Sequence, residues 1–141
     1  MAEILEQETL DHLAHDIRDI LKTDSSMAGK KKICDRLSRT LLDKAFVAEH
    51  LPARAPGASP REVLYEDPEL GFCICGHVYE KPAKGSPHDH GASWAIYGQA
   101  EGQTEMTEWK IVEKGSGDTP TLVEPEKIYV MKPGDATFYD V

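Results

Sequence analysis

Cysteine is scarce in this chain: Cys34, Cys73 and Cys75 are the three among 141 residues. The start, Met1-Ala2-Glu3-Ile4-Leu5-Glu6, has neither a basic stretch nor an apolar signal core. An odd, sparse cysteine count without such a leader fits a reduced, cytoplasmic setting. Cys73 and Cys75 lack Cys-x-x-Cys spacing, and neighbours on one strand face make a poor disulfide pair. They are expected as small buried hydrophobes. Long apolar runs are also missing, so no segment is expected to span a bilayer. Positive charge is outweighed, with 16 Lys and Arg against 25 Asp and Glu and a net charge of −9. That field argues against nucleic acid or an anionic membrane as partner. Lys30-Lys31-Lys32 then reads as a solvated helix face. There is no internal repeat and no low-complexity tract.

Two textures divide what is present. Leu10, Leu13, Ile17 and Ile20/Leu21 recur every three to four residues and predict an amphipathic helix. Thr23-Asp24-Ser25-Ser26 interrupts it and offers caps for a second helix, whose stripe runs through Ile33, Leu37, Leu41 and Leu42. Residues 1–51 are therefore expected as a helical segment of two helices. Residues 52–60 hold three prolines and Gly57 and read as a connector. From 61 to 141, short β-type runs alternate with turns: Val63 to Tyr65, Phe72 to Tyr79, Ser93 to Tyr97, Gln103 to Val112, Leu122-Val123, Lys127 to Met131 and Ala136 to Tyr139. Such spacing predicts an antiparallel barrel or sandwich, and a mainly β protein.

The densest chemistry is Gly85-Ser86-Pro87-His88-Asp89-His90-Gly91. Alternate residues of a strand face the same way, so His88 and His90 project together while Asp89 points elsewhere. Two imidazoles so placed can share a first-row transition metal. Trp94-Ala95-Ile96-Tyr97, Glu101-Gly102 and Lys132-Pro133-Gly134-Asp135 follow. Together these resemble the cupin superfamily, a double-stranded β-helix or jelly-roll barrel. Its first motif is Gly, His-x-His, a later Glu and a closing Gly, and its second begins near Pro-Gly-Asp. The resemblance covers roughly residues 61–141 and is strongest to the cysteine dioxygenase-like group, which also has a helical start and a His-Asp-His triplet.

That resemblance implies a mononuclear divalent site, Fe(II) first and Ni, Mn or Zn as alternatives. His88 and His90 are the ligands it carries over. Ala95 stands where most cupins place a glutamate ligand; cysteine dioxygenases also lack that glutamate and bind iron by three histidines. The third histidine is expected beyond Val141, in a last strand that this sequence does not hold; His77 is a possible extra ligand and Glu101 a weaker one. The implied chemistry is dioxygen-dependent oxidation of a small thiol or other small organic acid. An all-histidine set leaves the ion more positive than one with a carboxylate, which suits an anionic substrate. Arg61, at the head of an early strand, is the candidate partner for a substrate carboxylate. Tyr97 is the candidate catalytic hydroxyl, two residues from Ala95 on the metal-facing side. Trp94, Ile96 and Trp109 are expected to pack. Two alternatives stay open: a non-catalytic cupin binding or structural module, and a cupin isomerase or dioxygenase with a non-thiol substrate. Cupins commonly dimerise, and a missing strand leaves an edge, so a homodimer is expected. His12 and His15, three apart on the first helix, are assigned to pairing with nearby aspartates.

Overall fold

A computed structural model describes residues 8–79, 84, 85, 87, 88, 90 and 93–139. Among these residues it is a mixed α and β structure, with three helices followed by six strands. Helix α1 spans Leu10–Thr23, and the Thr9 hydroxyl caps it by accepting from the His12 N–H. Helix α2 spans Met27–Leu41 and α3 spans Lys44–His50. The sequence pattern predicts two helices because the apolar stripe runs on through Leu42. The Asp43 carboxylate ends that run by accepting from the N–H groups of Ala45 and Phe46, which starts a new helix. Leu42 is then turned outward, 68% exposed.

The strands are β1 Arg61–Glu66, β2 Cys73–His77, β3 Ala95–Gly98, β4 Thr104–Glu113, β5 Leu122–Met131 and β6 Ala136–Tyr139. They pair antiparallel as β1–β2, β3–β6 and β4–β5. Among the described residues these are three two-stranded ribbons and no closed barrel. The two short runs expected around Pro125 are one strand, because a two-stranded ribbon leaves each strand an open edge where a missing N–H is tolerated.

The core lies under the helices. Leu13, Ile17, Ile33 and Phe46 are its buried centre, and Leu37, Phe72, Ile74 and Ile96 close around it. Burying such side chains contributes about 1.5–3 kcal/mol each before chain entropy is counted. Gly98 lets β3 lie close to α2, since a Cβ there would stand 2.4 Å from Leu41 Cδ1 and 2.9 Å from Leu37 Cδ2. Its cross-strand partner is the small Ala136. Lys30 is not on the solvated face expected for the lysine run: it is 8% exposed, and its ammonium lies 5.8 Å from the Trp94 ring centre. Lys31 and Lys32 are exposed as expected.

Charge ties the parts together. Arg36, 7% exposed, donates from Nε to Asp16 at 2.7 Å and from Nη2 to Glu8 at 2.9 Å. Burial resists ionisation of Asp16, but the Arg36 hydrogen bond and charge prevail and hold its pKa low. Arg18 of α1 donates to Asp67, just after β1, at 2.7 and 2.9 Å. Asp67 also accepts from the Leu70 N–H at 2.6 Å and so builds the β1–β2 turn. His12 and His15 face Asp16 and Asp19 at 3.8 and 3.2 Å. No helix among the described residues is long and apolar enough to cross a membrane.

Candidate metal centre

Strand β3 and its partner set the site's floor. Their register places Ala95 opposite Tyr139, Ile96 opposite Phe138 and Tyr97 opposite Thr137. Alternation then sorts the ribbon into two faces. Ile96 packs against the helical core. Ala95, Tyr97, Thr137 and Tyr139 share the other face. With only a methyl at Ala95, the two phenol rings meet diagonally, with centres 5.8 Å apart.

Over this face come the two histidines. The described residues Pro87, His88 and His90 precede β3 in irregular backbone, not in the strand that the alternation argument assumes. Their rings nevertheless meet, 5.2 Å apart and at 82°. His90 Nε2 is 2.9 Å from the Tyr97 hydroxyl, and its ring stacks on Tyr139 at 6.0 Å. His88 is exposed and His90 half-buried. The expected orientation of Asp89 lies outside the described residues.

Phenols surround the pair. The Tyr139 hydroxyl is hydrogen-bonded to that of Tyr129 on β5. Four of the chain's five tyrosines therefore border one region: Tyr97, Tyr139, Tyr129 and Tyr79, whose charge would act on Tyr97. Burial, followed by Tyr79, raises the Tyr97 pKa. Burial and then the bond to Tyr129 hold Tyr139 well above the ordinary tyrosine range. Both are neutral phenols near pH 7. The register that brings Tyr139 to the site, and the reach of Tyr129 across from β5, are not legible in the sequence. Period-two spacing with Ala136 to Phe138 is the one signal that Tyr139 could share a face with Thr137.

Arg61 and His77 lie on the β1–β2 ribbon. They are cross-strand partners on β1–β2, and the Arg61 guanidinium reaches Cys75 Sγ at 3.6 Å. His77 keeps solvent contact and stacks on Tyr79 at 6.4 Å. Crowding by neighbouring atoms and then the Arg61 charge lower its pKa. Among the described residues, no three His, Cys, Asp or Glu side chains converge as a metal would require, so His77 does not join His88 and His90. Glu101 is exposed in the turn after β3. Cys73 is exposed and Cys75 half-buried, against the expectation of buried thiols; the edge-rich ribbon leaves that face uncovered. Trp109 is likewise 41% exposed and not a packed residue.

The pair can be tested against a metal by distance. An imidazole centre stands about 3.2 Å from a cation on its nitrogen, so two rings at tetrahedral to octahedral angles have centres about 4.5–5.3 Å apart. The observed 5.2 Å falls within that span. The donor set fits a divalent transition ion as two imidazole nitrogens, with hard oxygen from a phenol close by. Two shallow clefts, of about 220 and 190 Å³, lie on the helical part beside His50 and Lys32, away from these residues. Compared with known family models, curated proteins and solved structures, the chain has no match.

Proposed function

We propose that the chain is a metal-dependent protein of the cupin type, a non-heme iron dioxygenase acting on a small thiol or other small organic acid. The three antiparallel ribbons are then parts of a double-stranded β-helix, and the free cysteines suit a cytoplasmic setting. The observation that carries the proposal is the meeting of the His88 and His90 rings at 5.2 Å beside the Tyr97 hydroxyl. His88 and His90 hold the metal, which when bound supplies one-electron chemistry with dioxygen. Tyr97 borders the two histidines, its hydroxyl oxygen 2.9 Å from His90 Nε2. Arg61 attracts the acid group of the substrate from an exposed position, so its contribution is about 1 kcal/mol and not that of a buried pair. The test is metal analysis of protein purified without chelator, then oxygen uptake with a panel of small thiols and carboxylic acids. Stoichiometric iron with substrate-dependent uptake is the expected result. Metal-free protein that neither takes up iron nor consumes oxygen overturns it.

A second reading has its own observation. Ile111, Val112, Leu122, Ile128 and Val130 on β4–β5 are 46–60% exposed. A non-catalytic module that associates through this ribbon, as a homodimer, would cover them. Sedimentation equilibrium separates the two: a dimer broken by Ile128→Lys, with no metal bound, favours the module.

A further inference from the structure

We infer that Tyr97 is itself a metal ligand, completing with His88 and His90 a set of two imidazoles and one phenolate. The inference rests on the metal reading above and names the third donor within the described residues. Two donors about 2.1 Å from one cation and at a right angle to each other stand about 3.0 Å apart. His90 Nε2 and Tyr97 Oη are 2.9 Å apart, the edge length of such a polyhedron. In the metal-free protein one proton bridges these atoms. When an ion takes that place, the phenol O–H bond breaks, the proton leaves to solvent and both lone pairs turn to the metal.

The surroundings favour Tyr97 over its neighbours. Tyr139 faces the same space, but its hydroxyl is engaged by Tyr129, and it meets His90 with its ring plane at 25°. Tyr79 is 57% exposed and stacks on His77 instead. Ala95, the neighbour of Tyr97 on the same face, offers no donor. A phenolate also restores the negative charge that a carboxylate ligand would give a ferrous or ferric ion.

The experiment is absorption spectroscopy on the full chain. Wild type, Tyr97→Phe, Tyr139→Phe and His88→Ala are loaded anaerobically with ferrous iron and oxidised with ferricyanide. Far-UV circular dichroism checks that each variant is folded, and titration with Co(II) gives the affinities. The expected result is a visible phenolate-to-iron(III) charge-transfer band in wild type and Tyr139→Phe and its loss in Tyr97→Phe, with affinity lowered about tenfold or more. Iron bound by wild type without a visible band, at an affinity that Tyr97→Phe shares, overturns the Tyr97 assignment and leaves the histidine site standing. No binding by wild type or any variant overturns the metal reading and this inference with it.

Discussion

Tyr139 lies opposite Ala95 across the β3–β6 pair, and its ring stacks on His90 at 6.0 Å. The absence of a larger side chain at Ala95 is what opens that space. Ala95 thus makes room for a phenol wall. Removing either imidazole should therefore cost the metal without disturbing the floor beneath it. His88→Ala and His90→Ala are expected to lose bound metal, with affinity falling by more than the 10–100-fold typical of a supporting contact. His12→Ala, whose ring faces Asp16 at 3.8 Å, should bind as wild type does. Metal content by mass spectrometry after dialysis against iron checks both; full occupancy in His88→Ala would remove the assignment.

Arg61 is exposed, and its guanidinium rests against Cys75 Sγ at 3.6 Å. A solvated arginine steers an anion more than it anchors one. Arg61→Ala is expected to raise KM for an acidic substrate a few-fold, about 1 kcal/mol, with kcat unchanged and the difference shrinking in high salt. A loss of several hundred-fold would mean that the substrate carboxylate is buried against it.

Much of the helical part was legible because one period does one job. Leu13 and Ile17 are buried where the three-to-four spacing puts them. The break at Asp43 was hidden because Leu42 continues the stripe that the cap overrides. In the β part, strand positions followed from alternation and turns, but pairing did not. Nothing local tells Ala95 that it will face Tyr139, since register is settled by long-range contact. The exposure of Trp109 and Cys73 has the same origin: an alternating strand names two faces without saying which one another layer will cover. For the site, His88, His90 and Tyr97 were readable as residue types at suitable spacing. The phenols of Tyr129 and Tyr139 depend on register and were not.

Arg36 offers a stability test independent of the site. It bonds Asp16, Glu8 and Thr40 from a position 7% exposed. Arg36→Met keeps much of the side chain's apolar stem but leaves the Glu8 and Asp16 carboxylates only the exposed Arg39, at 3.4 and 4.0 Å. The expected loss is about 3 kcal/mol, the lower part of the range for breaking a buried pair because Asp16 keeps some solvent. Urea unfolding followed by circular dichroism reads it, and a shift within error would mean the network contributes nothing net.

Gly98 tests the packing of β3 on α2. A Cβ there would meet Leu41 Cδ1 at 2.4 Å and Leu37 Cδ2 at 2.9 Å. Both are ends of flexible side chains, so Gly98→Ala should cost little, whereas Gly98→Val must push the strand away. The valine variant is expected to lose about 1–3 kcal/mol by thermal or urea unfolding. Because β3 also carries Tyr97, it should bind metal more weakly as well. Wild-type stability in Gly98→Val would show that β3 does not press on the helix.

Asp67 contributes to the acid dependence of the fold. Its carboxylate is held well below the usual carboxylate range, first by the Arg18 hydrogen bond, against the cost of burial, and then by the Leu70 N–H and the Tyr65 hydroxyl. A lowered pKa in the folded state means the unfolded chain binds the proton more readily. The stabilisation is therefore complete above the unfolded value, about 3.9, and is lost as the pH falls from there toward the folded value. Asp67→Asn cannot titrate and loses the charged bond to Arg18 at every pH. The advantage of wild type over Asp67→Asn should be largest near pH 7 and should shrink as solutions are taken below about pH 4. Urea midpoints of the two proteins at pH 7, 5, 4 and 3 measure it. Parallel curves across that range would mean that Arg18 and Asp67 do not couple α1 to the β1–β2 turn.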